Sequence, residues 1–259
     1  DTLPLQTLTQ QVIRLDDGDL AEITADGIKT SRFDGRYTDS EVTSLDDEWG
    51  EAELGDYPHF MLKEIHEQPE ALRQCLTGRL DIKNGNARLG GLGLTSKQLQ
   101  KIPHVRLLGC GTALHASQVG RIVIEQLARV PTLAHISSEF RHNDPVIENS
   151  AIHFAVSQSG ETADTLAAVK EIQLKGGEVR GVINVVGSTI ARQCGRGCYI
   201  HSGPEQSVAS TKAFSNMVAA LSLFGIQIGR ARALSRERGK SLVESLQKIP
   251  LLVEEYLKQ

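Results

Sequence analysis

Chemistry is most concentrated in Ser157-Gln158-Ser159-Gly160-Glu161-Thr162, where three hydroxyl side chains crowd a single turn. The run 151–156 before it is apolar enough for a buried strand, and Thr165, Leu166, Val169 and Ile172 recur at helical spacing after it. The turn is therefore expected at a helix N-terminus, where unpaired backbone N–H groups and the positive end of the helix dipole attract anions. Ser157, Ser159 and Thr162 add hydroxyl donors, while the nearest basic residue, Lys170, lies two helical turns further on. The pattern suits a phosphate dianion held without a lysine or arginine. A serine-rich turn that merely caps its helix is the competing reading of the same residues.

Other constellations carry less. Gly109-x-Gly111 opens like a dinucleotide fingerprint, but position 114 is Leu where the third glycine belongs, and Ile136-Ser137-Ser138 stands where an acidic ribose ligand belongs. No GxxxxGK[ST] sequence occurs. Cys194 and Cys198 are spaced CxxxC, without a second Cys or His pair at zinc-ligand spacing. Asp16, Asp17 and Asp19 suggest a calcium loop but lack the bidentate glutamate that should close it. Glu161 is a candidate base for moving a proton between carbons, although a carboxylate beside a phosphate repels it and a glutamate at a helix N-terminus already has a structural role. No cofactor and no metal are expected.

Composition narrows the classes. The 259 residues suffice for one large or two small domains, and 28 basic against 32 acidic residues give a net charge of −4 with no dense basic block. Nucleic-acid binding is not expected on that charge. The most apolar late stretch, 213–228, is broken by Ser215, Asn216, Ser222 and Gln227 and falls short of the roughly 18 apolar residues of a membrane span. Four irregularly spaced cysteines argue for reduced thiols in the cytoplasm.

The elements that must position the turn follow from periodicity. Residues 11–15 and 20–23 alternate in polarity around Asp17-Gly18, which predicts an N-terminal hairpin. Residues 38–56 are acidic, with no Lys or Arg, and read as a linker. Helical character runs over 59–80, with Pro69 expected to break or restart the helix. After Pro103, strand-like runs at 105–109, 132–136, 151–156, 179–185 and 198–201 alternate with helical segments. The predicted class is α/β, a five-stranded parallel sheet flanked by helices, with the short hairpin extension in front. Its ligand belongs at the carboxyl ends of the strands, where their order reverses. Three small-residue loops end strands there: 109–112, 157–162 and 207–211. Apolar stripes on 214–228 and 242–257 predict two closing helices.

Gly109-Cys110-Gly111-Thr112, Ser138-Glu139-Phe140-Arg141, the 157–165 segment SQSGETADT and Val208-Ala209-Ser210-Thr211-Lys212-Ala213 resemble the first sugar-isomerase (SIS) domain of the isomerising glutamine–fructose-6-phosphate aminotransferases. Lys63-Glu64-Ile65-His66-Glu67-Gln68-Pro69 resembles the segment before that domain, and 16–23 the tail of the family's glutaminase domain. The resemblance implies three parts: 1–37 the glutaminase tail, 38–56 the linker and 57–259 the SIS-type αβα sandwich with its flanking helices. It also implies that Ser157, Gln158, Ser159 and Thr162 hold the phosphate of fructose 6-phosphate or glucosamine 6-phosphate, while Thr112 and the backbone of Val208, Ala209 and Ser210 line the sugar. Ala113 stands where the family commonly has serine, so one hydrogen bond to the sugar is missing by comparison.

What the family does with such a domain is to convert fructose 6-phosphate and glutamine to glucosamine 6-phosphate and glutamate in hexosamine biosynthesis. The amidotransferase cysteine and the ring-opening and proton-transfer residues match nothing in this chain, so it is expected to bind substrate without completing the reaction. The family's dimers imply a homodimer. A sugar-phosphate-sensing SIS module attached to a DNA-binding segment is the alternative; it calls for a basic helix-turn-helix, where this chain has a hairpin and an acidic stretch.

Overall fold

The computed structural model describes residues 9, 11–16, 18–38, 41–44 and 53–259. The chain divides into two compact units, Asp1–Glu53 and Leu54–Gln259.

In the N-terminal unit, β1 (Gln11–Ile13) pairs antiparallel with β4 (Val42–Ser44), and β2 (Asp19–Thr24) with β3 (Gly27–Arg32). The hairpin therefore turns at Ala25-Asp26, with Thr24 opposite Gly27, and not at Asp17-Gly18. Two Asp-Gly dipeptides compete for it. The second wins because its register sets Glu22 opposite Lys29 and Asp19 opposite Arg32, whose side chains lie 3.7 Å apart. The Asp19 N–H still closes a turn on the Asp16 carbonyl at 3.0 Å, but the strand before that turn pairs with β4 instead. β4 lies inside the acidic stretch read as a linker; residues 39–40 and 45–52 of that stretch lie outside the described residues.

The second unit opens with α1 (Phe60–Leu76), which runs through Pro69 without a break. A proline at this point deprives the Ile65 carbonyl of its helical donor. The Gln68 side-chain amide replaces it, donating to Ile65 O at 3.1 Å, so the helix continues. A small antiparallel pair, β5 (Leu80–Asp81) and β6 (Asn86–Ala87), follows, and then α2 (Ser96–Lys101), which begins with a Thr95–Gln98 capping box.

From there strand and helix alternate: β7 (Val105–Gly109), α3 (Thr112–Ala128), β8 (Thr132–Ile136), α4 (Ser137–His142), β9 (Ile152–Ser157), α5 (Ala163–Leu174), β10 (Val179–Ile183), α6 (Thr189–Cys194) and β11 (Gly197–Tyr199). All five strands are parallel, in the order β11-β10-β9-β7-β8. Every residue of β9 and β10 is buried, as a sheet covered on both faces requires. Successive residues point to opposite faces. Leu107, Phe154 and Val182 pack on one side with α1, α3 and α7 (Lys212–Arg232), while Leu108, Ala155 and Ile183 pack on the other with α4, α5 and α6. Phe154 meets Phe224 of α7 edge to face at a centroid distance of 4.7 Å. The closing α8 (Arg236–Tyr256) adds Val243 to the same core.

One buried amide ties three elements together. Asn216 of α7 donates at 2.9 Å both to Ala71 O in α1 and to Ile200 O beyond β11. Asn216→Ala removes both bonds from a fully buried site and is expected to cost about 2 kcal/mol in urea unfolding. A loss under about 0.5 kcal/mol would show that the amide holds nothing.

Candidate functional site

The strand order reverses between β7 and β9, so the crevice beyond their carboxyl ends is the natural ligand position of this sheet. β9 ends in buried Ser157, and the turn 158–162 leads into α5. Ser157 Oγ accepts the Gly160 N–H at 3.0 Å and lies 3.4 Å from Thr162 Oγ1, while Ser159 Oγ accepts the Glu161 N–H at 3.1 Å. Ser157 and Ser159 thus shape the turn with oxygens acting as acceptors; one of Ser157 and Thr162 donates to the other, and the Ser159 O–H and the remaining hydroxyl are left as donors to a ligand. Gln158 adds a side-chain nitrogen that is shielded from solvent and has no hydrogen-bond partner.

The helix N-termini of this unit differ in one respect. Side-chain acceptors occupy those of α1 (His59), α2 (Thr95), α6 (Glu161), α7 (Glu205) and α8 (Ser235). Thr162 leaves α5 without a side-chain cap, as Gly111 does α3 and Ile136 does the six-residue α4, and at α3 the N–H groups of Ala113 and Leu114 are taken by the carbonyls of Cys110 and Gly111. The first-turn amides of α5, which directly follow the hydroxyl-rich turn, are therefore an open anion-binding group at the crevice. Glu161 is not poised as a free base. Its carboxylate accepts the Thr189 N–H at 2.8 Å and serves α6.

The first and third strand ends are joined through Thr165, fully buried in the first turns of α5. Its hydroxyl donates to Ser137 at the start of α4 at 3.1 Å, and Cys110 Sγ lies 3.9 Å from the same oxygen. Thr112, at the N-terminus of α3, stands beside this junction. The third segment connects less directly. Gln158 O accepts the Val185 N–H at 3.3 Å, and Asn184 next to it binds the Ser202 N–H and the Gly203 carbonyl, both at 2.8 Å. Beyond them Val208 and Ala209 are exposed, and Ser210 Oγ accepts the Phe214 N–H at 3.1 Å. The 110–112 loop is thus joined to α5 through Cys110 and Thr165, and the Asn184 relay ties the 157–162 turn to 202–203, a few residues before 208–210. Of the cysteines, burial pushes the thiols of Cys75 and Cys194 up to about 12, so neither is a ready thiolate.

The profile of the SIS domain matches residues 98–227, which is half of the chain and includes every loop described above. The chain belongs to the SIS domain family. This SIS domain is similar to the isomerising glutamine–fructose-6-phosphate aminotransferase of Symbiobacterium thermophilum, at 45% identity over 251 residues, 96% of this chain and 41% of the relative. Its likeness to the same enzyme of Thermus thermophilus is 42% over 260 residues, 100% of this chain and 42% of the relative. The chain thus spans about two fifths of the length of these curated relatives. Among solved structures, the C-terminal domain of glucosamine-fructose-6-phosphate aminotransferase from Francisella tularensis matches with a TM-score of 0.74 at 32% identity, covering 80% of this chain and 58% of that one.

Two buried acids of the second unit, Glu64 and Glu205, escape a reading of the sequence, because a charged residue ordinarily reads as solvated. A signal is present for Glu64. With Glu67, Gln68 and Ala71 it occupies one face of α1 at helical spacing, where an acid among core positions calls for a partner.

Proposed function

We propose that this chain binds the phosphorylated hexose of an isomerising glutamine–fructose-6-phosphate aminotransferase, with fructose 6-phosphate and glucosamine 6-phosphate as its ligands. The carrying observation is the uncapped N-terminus of α5 at the point where strand order reverses, surrounded by hydroxyl donors. In this reading Ser157, Gln158, Ser159 and Thr162 hold the phosphate. Thr112 and the backbone of Val208, Ala209 and Ser210 line the sugar. Because Glu161 is bonded to α6, its charge is partly neutralised by that helix terminus and repels the phosphate less than its place in the turn suggests.

The reading extends to the whole protein. Residues 1–37 belong to a glutaminase-type domain, 38–56 to a linker and 57–259 to the first SIS domain of a cytoplasmic homodimer. Amide hydrolysis and sugar isomerisation take place on parts other than these residues. The isolated chain is therefore expected to bind sugar phosphate and to form no glucosamine 6-phosphate. Turnover by the pure chain would place the chemistry here after all.

Calorimetry on wild type and on the double variant Ser159→Ala with Thr162→Ala tests the phosphate assignment. Hydrogen bonds to a charged oxygen contribute about 1.5 kcal/mol each. The pair should therefore weaken fructose 6-phosphate binding by more than tenfold, with little change in thermal stability since both side chains are partly exposed. Equal affinities would remove these hydroxyls from the site.

A further inference from the structure

Helix α1 lies outside the residues matched by the SIS profile, yet one face of it grips the segment that leads to 208–210. Glu64 is only 2% exposed, and its Oε1 accepts the N–H of Gln206 at 2.7 Å and of Ser207 at 3.2 Å. Further along the same face, Glu67 pairs with buried Lys212 at 2.5 Å and Gln68 accepts the Ser215 hydroxyl at 2.6 Å.

A buried carboxylate is costly, and an apolar side chain would pack α1 against the core at less expense. What glutamate adds at 64 is a single acceptor for two consecutive backbone N–H groups. That arrangement fixes the orientation of both peptide planes immediately before Val208. At the other end Glu205, also buried, accepts the Thr211 N–H at 2.8 Å and the Ala213 N–H at 3.4 Å. The exposed tip, Val208 and Ala209, is thus carried between two segments pinned by buried carboxylates.

We propose that Glu64 is a positioning residue for the sugar end of the ligand: it touches no ligand atom, and it sets the direction of the backbone groups of 208–210 by clamping 206 and 207 from outside the SIS core. This rests on the reading that 208–210 line the sugar of a phosphorylated hexose. The phosphate end, built on 157–162 and α5, shares no hydrogen bond with Glu64, so the two ends of one ligand should respond differently to its loss.

The experiment is calorimetric titration of the whole chain with fructose 6-phosphate and, separately, with inorganic phosphate. Glu64→Ala is expected to weaken fructose 6-phosphate at least tenfold and inorganic phosphate less than twofold. Glu64→Gln keeps an acceptor oxygen and should return fructose 6-phosphate affinity to within threefold of wild type. A merely structural role would lower both ligands together and would not be rescued by glutamine, so either result overturns the proposal, as does unchanged affinity in Glu64→Ala. Should Glu64→Ala fail to fold, amide hydrogen exchange on wild type decides. Gln206 and Ser207 must exchange at least tenfold more slowly than exposed Val208 and Ala209, and similar rates overturn the clamp. Failure of wild type to bind either ligand instead removes the sugar-phosphate reading itself, and the inference with it.

Discussion

Gly160→Ala is expected to lower the stability of the second unit by about 2 to 4 kcal/mol, which for a unit of this size corresponds to roughly 10 °C in thermal midpoint. Two independent costs combine. Gly160 has φ of +66°, a left-handed conformation that strains an L side chain by about 1 kcal/mol. A Cβ placed there would sit 2.0 Å from Ser188 Oγ, 2.6 Å from Ser188 Cβ and 3.0 Å from Ile183 Cγ2, all within a packed interior. Forced overpacking of that kind costs about 1–3 kcal/mol. The turn cannot shift to relieve it, because the Gly160 N–H is bonded to Ser157, its carbonyl to the Ile190 N–H and the neighbouring Glu161 to Thr189.

Gly187 supplies the control. Its φ is +69°, but a Cβ added there would meet no atom within 4 Å, so Gly187→Ala should show the strain alone, about 1 kcal/mol. Adding Ser188→Gly to Gly160→Ala should recover about 2 kcal/mol by removing the two closest atoms. Equal losses at 160 and 187 in urea unfolding, or no recovery in the double variant, would mean that the contact with Ser188 is not what demands glycine.

This dependence shows what can and cannot be read along the chain. The five parallel strands are legible because a sheet covered on both faces needs largely apolar runs such as 152–156, where His153 is the one polar residue, and the helices between them show 3.6-residue periodicity. The turn after β9 is legible because small hydroxyl residues at a strand-to-helix junction have few other uses. The partners of those residues are not. That Glu161 serves a helix starting at Thr189, and that Gly160 faces Ser188, depend on β10 lying beside β9, a neighbour relation that periodicity leaves undetermined. Pro69 misleads for a similar reason: the rule that proline ends a helix assumes that the orphaned carbonyl finds no donor, and Gln68 supplies one. Turn propensity alone sets the hairpin one Asp-Gly too early, because it cannot weigh the cross-strand charge pairs that favour Asp26-Gly27.

Acid should weaken the fold through a histidine on the very strand that carries the site. His153, fully buried on β9 four positions before Ser157, donates from Nδ1 to the Glu178 carbonyl at 3.2 Å, while its Nε2 is buried with no partner. Burial pulls its pKa down to about 4, and nearby Arg106 and His135 push the same way. In the unfolded chain the imidazole titrates near its ordinary value of about 6.5. Between those two values the unfolded state takes up a proton that the folded state refuses, so unfolding is favoured as pH falls. The contribution is complete above about pH 6.5, is lost progressively below it and is gone near pH 4. A gap of this width corresponds to on the order of 3 kcal/mol. His135, half-buried at the end of β8, is shifted down by burial as well and adds in the same direction. Carboxylates also titrate in this window, so the informative quantity is a difference. Unfolding free energies from urea melts at pH 7, 5.5 and 4.5 for wild type and His153→Gln should diverge at high pH and converge in acid, because the variant has no proton to refuse. A difference that stays constant across that range would show that His153 carries its charge inside the folded sheet, and the burial argument for β9 would fail with it.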